Sequence, residues 1–69
     1  MIEVFKTNIQ EKTQSEEVKK QILKHYPELI IGFDLEDIDK VLRIEGSFFI
    51  SSDVVELIVF IGFECELMI

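Results

Sequence analysis

The chain is poor in cysteine, proline and glycine. Its 69 residues contain one cysteine (Cys65), one proline and three glycines. One thiol cannot form an internal disulfide, so the chain must fold without the cross-links on which many small secreted domains depend. The glycines stand apart and no stretch is rich in proline, glycine or serine, so we expect one domain spanning residues 1–69 and no linker.

Basic residues and long apolar runs are also scarce. The chain has 7 basic and 14 acidic residues, for a formal net charge of −7. Such a surface repels phosphate backbones and anionic lipids, so we expect neither nucleic acid nor a membrane as partner. No stretch approaches the roughly 20 apolar residues needed to cross a bilayer, and the N-terminal segment lacks the apolar run of a signal peptide. We therefore expect an acidic, cytoplasmic protein whose partners are cationic or neutral.

What the sequence does contain is periodic hydrophobicity. Apolar residues make up 48% of the chain, which is enough for a core. Residues 2–7 are rich in β-branched and aromatic side chains with partial alternation, which predicts a strand. We expect Ile2 and Val4 to face the core and Phe5 to point to the other side of the sheet.

A helix is predicted next. Thr13 and Glu16 have the spacing of a capping box, and Pro27 disfavours helical geometry at the residue before it. The helix should therefore run from Thr13 to about Tyr26. Its inner face is a stripe at three- and four-residue spacing, made of Val18, Ile22 and either His25 or Tyr26.

Two alternating runs follow, residues 29–35 and residues 40–45. A short polar stretch separates them, and this arrangement predicts a β-hairpin. The side chains expected to face inward are Ile31, Phe33, Leu35, Leu42 and Ile44.

A second helix is predicted over residues 53–61, ended by Gly62. The competing N-cap candidates are Ser51, Ser52 and Asp53. Its inner face consists of Val54, Leu57, Ile58 and Ile61. Residues 63–68 alternate again and predict a last strand, with Cys65 and Leu67 inward.

The order of these elements is β-α-β-β-α-β. Two right-handed crossovers around a central hairpin give an α+β fold of the ferredoxin-like kind. We therefore expect a four-stranded antiparallel sheet with both helices on one face.

With this order, the chain resembles the heavy-metal-associated domain family, the copper-chaperone-like form of the ferredoxin-like fold. One stretch that carries the resemblance is Asn8-Ile9-Gln10-Glu11 running into Val18 and Ile22. The other is Ser52-Asp53-Val54 through Ile58, Ile61, Gly62, Phe63 and Cys65, which looks like the last helix, the Gly-aromatic turn and the final strand of that family. The resemblance covers nearly the whole chain and implies the fold and a mode of docking.

That family holds its metal in a Met-x-Cys-x-x-Cys loop before the first helix. The resemblance places Ile9 at the Met position and Glu11 and Gln14 at the two Cys positions. Both thiolates that select Cu(I) are absent, so the site is degenerate and we expect no cofactor. Metal binding or trafficking would need atypical ligands, for which the candidates are Glu11, Gln14, His25 and Cys65.

Catalysis is not expected either. With one histidine and one cysteine, the chain offers no nucleophile–base pair, and no pair of carboxylates stands out from the surface.

The apolar residues exceed what one inner helix face needs. Val55 and Val59 lie four apart and share a helix face away from the core stripe, and apolar residues 48–50 lead into that helix. Either this surplus is exposed and marks an interaction site, or the helix buries a wider stripe and the Phe rings fold over the end of the sheet. The candidate interaction residues are Phe48, Phe49, Val55, Val59 and Phe60. The expected function is a non-catalytic protein-interaction or dimerisation module, and the alternative is a metal-binding domain with atypical ligands.

Overall fold

The computed structural model describes residues 1–68. In chain order, the elements are β1 (Ile2–Thr7), α1 (Lys12–His25), β2 (Ile30–Asp34), β3 (Val41–Glu45), α2 (Ser51–Ile61) and β4 (Cys65–Leu67). The strands form one antiparallel sheet in the order β2-β3-β1-β4. Both helices contribute to a single core on one face of this sheet. The predicted ferredoxin-like βαββαβ fold is confirmed.

The central strand β1 has the predicted limits, but its predicted facing is wrong. Phe5 is fully buried and lies opposite Leu42 of β3 and Leu67 of β4, whereas Ile2 is 52% exposed. Apolar residues occupy both parities of this strand, so alternation alone does not select the inner face. The aromatic ring has the largest apolar area to bury, and its burial decides the orientation.

The first helix begins earlier than predicted. Its N-cap is Glu11 rather than Thr13. The Gln14 side chain explains this start, because its Oε1 accepts the backbone N–H groups of Gln10 and Glu11, both at 3.2 Å. The helix end agrees with the prediction, since Tyr26 stands at the C-cap. Of the predicted inner stripe, Val18 and Ile22 are buried, Tyr26 is half-buried and His25 is exposed.

The predicted hairpin between β2 and β3 is confirmed. Ile31 lies opposite Ile44, and Phe33 lies opposite Leu42. Three of these four side chains are buried and Phe33 is half-buried against the core. The predicted inward position of Leu35 is also half-buried, although it lies just beyond the end of β2.

The second helix begins two residues before the predicted limit. Ile50 occupies the N-cap, so none of the three polar candidates caps the helix with its side chain. The Ile50 carbonyl instead accepts the backbone N–H of Asp53 at 3.0 Å. Gly62 ends the helix as predicted, with a φ of +120° that favours glycine. The predicted inner stripe is confirmed: Val54 and Ile58 are buried, and Leu57 and Ile61 pack half-buried against the core.

The last strand is shorter than predicted. β4 covers three residues and pairs only with β1, so it forms an edge of the sheet. Cys65 is half-buried against the core, as the predicted facing requires. Leu67 shares the face of Phe5 but is exposed, because an edge strand has a neighbour on one side only.

The face of the sheet away from the helices carries mixed side chains. The register places Ile2, Val4 and Ile30 there, together with the ion pair between Arg43 and Glu45, whose charged atoms lie 3.3 Å apart. We refer to this surface as the open sheet face. Neither helix described within residues 1–68 has the length and apolar character needed to span a bilayer.

Candidate functional site

The predicted interaction residues divide into two groups. Phe60 is 88% exposed, Phe48 is 70% exposed, and Val59 is also exposed. Phe49, by contrast, is 1% exposed and belongs to the core, so its prediction as a surface residue is wrong. Val55 is half-buried and packs against the same core.

The local backbone explains why the two adjacent phenylalanines differ. Residues 48–50 precede α2 in a non-helical segment in which Ile50 has an extended backbone, and successive side chains of an extended backbone point in opposite directions. Phe49 therefore turns inward, while Phe48 and Ile50 turn outward. Each of the two arrangements anticipated from the sequence holds in part, because the Phe49 ring is buried in the core and the Phe48 ring is exposed to solvent.

Phe60 stands beside a groove between the C-terminal end of α1 and the length of α2. This α1–α2 groove has a volume of about 570 Å³. Its lining consists of His25, Tyr26, Asp53, Val54, Glu56, Leu57 and Phe60. A volume of this size lies within the range of ligand and peptide pockets. Val59 lies on an adjacent part of the helix surface and does not line it.

A tyrosine connects the two helices at this groove. The Tyr26 hydroxyl donates a hydrogen bond to Asp53 Oδ2 at 3.0 Å, and the Ile50 backbone N–H donates to the same hydroxyl at 3.4 Å. Tyr26 follows the last turn of α1, and Asp53 lies in the first turn of α2, where a carboxylate is favoured by the helix dipole. The bond therefore fixes one carboxylate at the groove wall.

A second, smaller hollow adjoins the groove on the other side of Tyr26. It has a volume of about 350 Å³ and is lined by His25, Tyr26, Pro27, Glu28, Leu29, Ser47 and Phe48. The two hollows share His25 and Tyr26, so the exposed rings of Phe48 and Phe60 flank one continuous surface. Within the described chain, the residues that line it include Glu28, Asp53 and Glu56 but neither lysine nor arginine.

The four metal-ligand candidates are not brought together. Glu11 and Gln14 stand at the start of α1 and His25 at its end, about 20 Å away along a helix of this length. The Gln14 carbonyl oxygen is already bonded to the backbone. Across residues 1–68, no three His, Cys, Asp or Glu side chains form a cluster suited to a metal ion.

Cys65 lies elsewhere, on β4 opposite Thr7 of β1. Burial raises the pKa of its thiol from 9.0 to about 11. The group is therefore protonated at neutral pH, and a protonated thiol is a weak nucleophile and a weak metal ligand.

The loop between β1 and α1 is held by internal contacts. Ile9 is fully buried, and its backbone N–H donates to Thr7 Oγ1 at 3.2 Å. The Thr7 hydroxyl donates in turn to the Lys40 carbonyl at 2.6 Å. Asn8 Oδ1 accepts the backbone N–H of Glu64 at 2.8 Å, which ties the loop to the segment before β4.

Sequence reasoning missed most of the groove. Tyr26 and Asp53 are 27 positions apart, and no local pattern shows that the end of one helix meets the start of the other. The one available signal was the three- and four-residue spacing of Asp53, Glu56 and Phe60, which places them on one side of α2.

Comparisons of the chain with protein-family models, with curated proteins and with solved structures gave no match. The functional assignment therefore depends on the residues of the chain itself.

Proposed function

We propose that the protein is a non-catalytic interaction domain that binds a segment of another protein in the α1–α2 groove. The observation that carries this proposal is Phe60, whose ring is 88% exposed at the edge of a groove floored by Val54 and Leu57. Covering such a ring gains roughly 1.5–3 kcal/mol. An exposed aromatic beside a concave apolar surface is the usual character of a binding site.

The occupant is a different protein rather than a second copy of the chain. Each copy carries a net charge of −7, and the groove itself is lined by carboxylates. Two copies meeting at this surface would bring like charges together, which opposes association. A non-catalytic role is supported by the surroundings of Cys65, because the described residues that line the hollow around it are Lys6, Thr7, Glu64 and Glu66 and do not include His25.

The same proposal includes a relationship to heavy-metal-associated domains. It is supported by the βαββαβ order and by the positions of Ile9 and Glu11 in the loop between β1 and α1, with Gln14 in the first turn of α1. Under this proposal the chain keeps the fold and a docking role and lacks the metal site. We also propose a cytoplasmic setting, in keeping with the free thiol of Cys65. The metal-binding alternative gains no support from the separated ligand candidates.

Peptide display tests the proposal. The domain is immobilised, a random peptide library is selected on it, and enriched peptides without tyrosine or tryptophan are then titrated into the free protein. Tyr26 is the single tyrosine of a chain without tryptophan, so the intrinsic fluorescence of the protein reports on the groove itself. We expect a saturable change in this fluorescence.

Two serine variants decide where the peptides bind. Phe60→Ser should weaken binding by about tenfold or more, as the loss of one buried ring implies. Ile38→Ser is the matched control, because Ile38 is 92% exposed in the β2–β3 connection and does not line the groove. A failure to enrich any peptide, or an equal loss of binding in both variants, would exclude the groove as the binding site.

A further inference from the structure

The charge of the groove indicates which partner it accepts. Asp53 and Glu56 line it, Glu28 lines the adjoining hollow, and the described lining of both contains neither lysine nor arginine. A concave surface with charge of one sign focuses its field on whatever enters. The occupant that complements this field is cationic.

The arrangement along α2 is more specific than net charge. Asp53, Glu56 and Phe60 follow one another at three- and four-residue spacing, so two carboxylates and a ring share one side of the helix. Val54 and Leu57 lie at the groove floor beside them. A long side chain with an apolar stem and a cationic head matches this order, because the stem covers the floor while the head meets the carboxylates and the ring.

The two carboxylates also differ in the contacts that they make within the fold. Asp53 accepts a hydrogen bond from Tyr26 and stands in the first turn of α2, so it has a structural role. Glu56 takes part in neither of the ion pairs found among residues 1–68, which join Lys6 to Asp39 and Arg43 to Glu45. Its charge is available to a partner.

We infer that the segment bound in the α1–α2 groove is basic and that it places an arginine side chain between Glu56 and the ring of Phe60. Arginine fits better than lysine, because its planar guanidinium stacks on an aromatic ring and presents a fork of N–H donors to a carboxylate. This inference rests on the proposed function and adds the chemical class of the partner.

The test uses two synthetic peptides, each with one central residue flanked by leucines and with blocked ends. The central residue is arginine in one and citrulline, its neutral isostere, in the other. Both peptides are titrated into the whole protein and followed through Tyr26 fluorescence. The arginine peptide is expected to bind about tenfold more tightly than the citrulline peptide, and added salt should weaken only the arginine peptide.

Two charge-neutralising variants locate the effect. Glu56→Gln should weaken the arginine peptide about three- to tenfold and leave the citrulline peptide unchanged. Glu66→Gln is the matched control, since it removes the same charge from β4, where the register with Lys6 places the side chain on the open sheet face. An equal effect of both variants would show that the preference for the arginine peptide comes from the net charge of the protein. That result would overturn the site.

The remaining outcomes separate this inference from the proposed function. Equal affinity of the arginine and citrulline peptides overturns the basic partner, while a loss of both in Phe60→Ser keeps the groove as a binding site. Binding of display-selected peptides without binding of the arginine peptide would likewise overturn the basic partner and keep the groove as a binding site. Absence of binding by every peptide overturns both.

Discussion

Replacing Phe48 and Phe49 one at a time tests how the segment before α2 is built. The two residues are adjacent and identical, yet Phe49 is 1% exposed and Phe48 is 70% exposed. Truncating a buried Phe to Ala costs about 3–5 kcal/mol, through lost transfer energy and the cavity that remains. The same change at an exposed position away from special features stays within about 0.5 kcal/mol.

The expected loss is large for a chain this small. A domain of this length is stabilised by roughly 3–10 kcal/mol in total, so Phe49→Ala should leave much of the protein unfolded at room temperature. Phe49→Leu is the measurable variant, with an expected cost of about 1–2 kcal/mol from the smaller apolar volume. Phe48→Leu is its matched control and should leave the free energy of unfolding unchanged.

Urea denaturation followed by far-ultraviolet circular dichroism measures this difference. The midpoint should fall for Phe49→Leu at an unchanged slope, which would show that stability and not the extent of unfolding has altered. A loss in Phe48→Leu as large as that in Phe49→Leu would refute the assignment of the buried ring.

The remaining predictions concern the glycines and the thiol. Gly46→Ala should destabilise the protein by about 1 kcal/mol, because the new Cβ would collide with the terminal methyl Cδ2 of Leu29, a core side chain that would have to shift. Gly32→Ala, whose Cβ meets no atom of the described chain within 4 Å, should stabilise by about 0.4–1 kcal/mol, and thermal unfolding that ranked the two variants in the opposite order would contradict this. Burial raises the pKa of Cys65 to about 11 from 9.0, so alkylation at about pH 8 should be slower in the folded protein than in urea, and equal rates would count against the shift. The unfolded chain releases this proton first, so the free energy of unfolding should fall as the pH rises from about 9 to about 11, and Cys65→Ala should remove that part of the slope.

The inward-facing side chains were predicted correctly in elements where only one face has a continuous row of apolar residues. In the β2–β3 hairpin the inward parity is wholly apolar, whereas the outward parity mixes Ile30 and Val41 with polar residues and a glycine, and the inner side chains were identified correctly. The same holds for the inner stripe of α2. In β1, apolar residues occupy both parities, and only the competition between side chains for the core selects Phe5.

The helix starts show a second limit. Several polar residues near each start are able to cap a helix, and the choice depends on which backbone N–H groups the tertiary fold leaves unbonded. In α1, Gln14 satisfies two of them and sets the start at Glu11. In α2, no side chain of the three candidates is needed at the N-cap.

The candidate site was predictable only where it depends on helical periodicity. The exposure of Val59 and Phe60 follows from the position of the inner stripe of α2. The burial of Phe49 depends on the conformation of a loop, and the meeting of Tyr26 with Asp53 depends on how the two helices are placed by the sheet. Neither the burial of Phe49 nor this contact can be recognised from a pattern of residues that are close together in the sequence.

The one-sided placement of the helices has a consequence for how many molecules the domain can hold at once. The α1–α2 groove lies on the helix side of the sheet, and the open sheet face, with Ile2, Val4 and Ile30, lies on the other. A ligand seated in the groove does not cover the open sheet face. It therefore cannot displace, by steric exclusion, a molecule that lies on that face. Any dependence between occupants of the two sides would have to be transmitted through the packed interior that separates them.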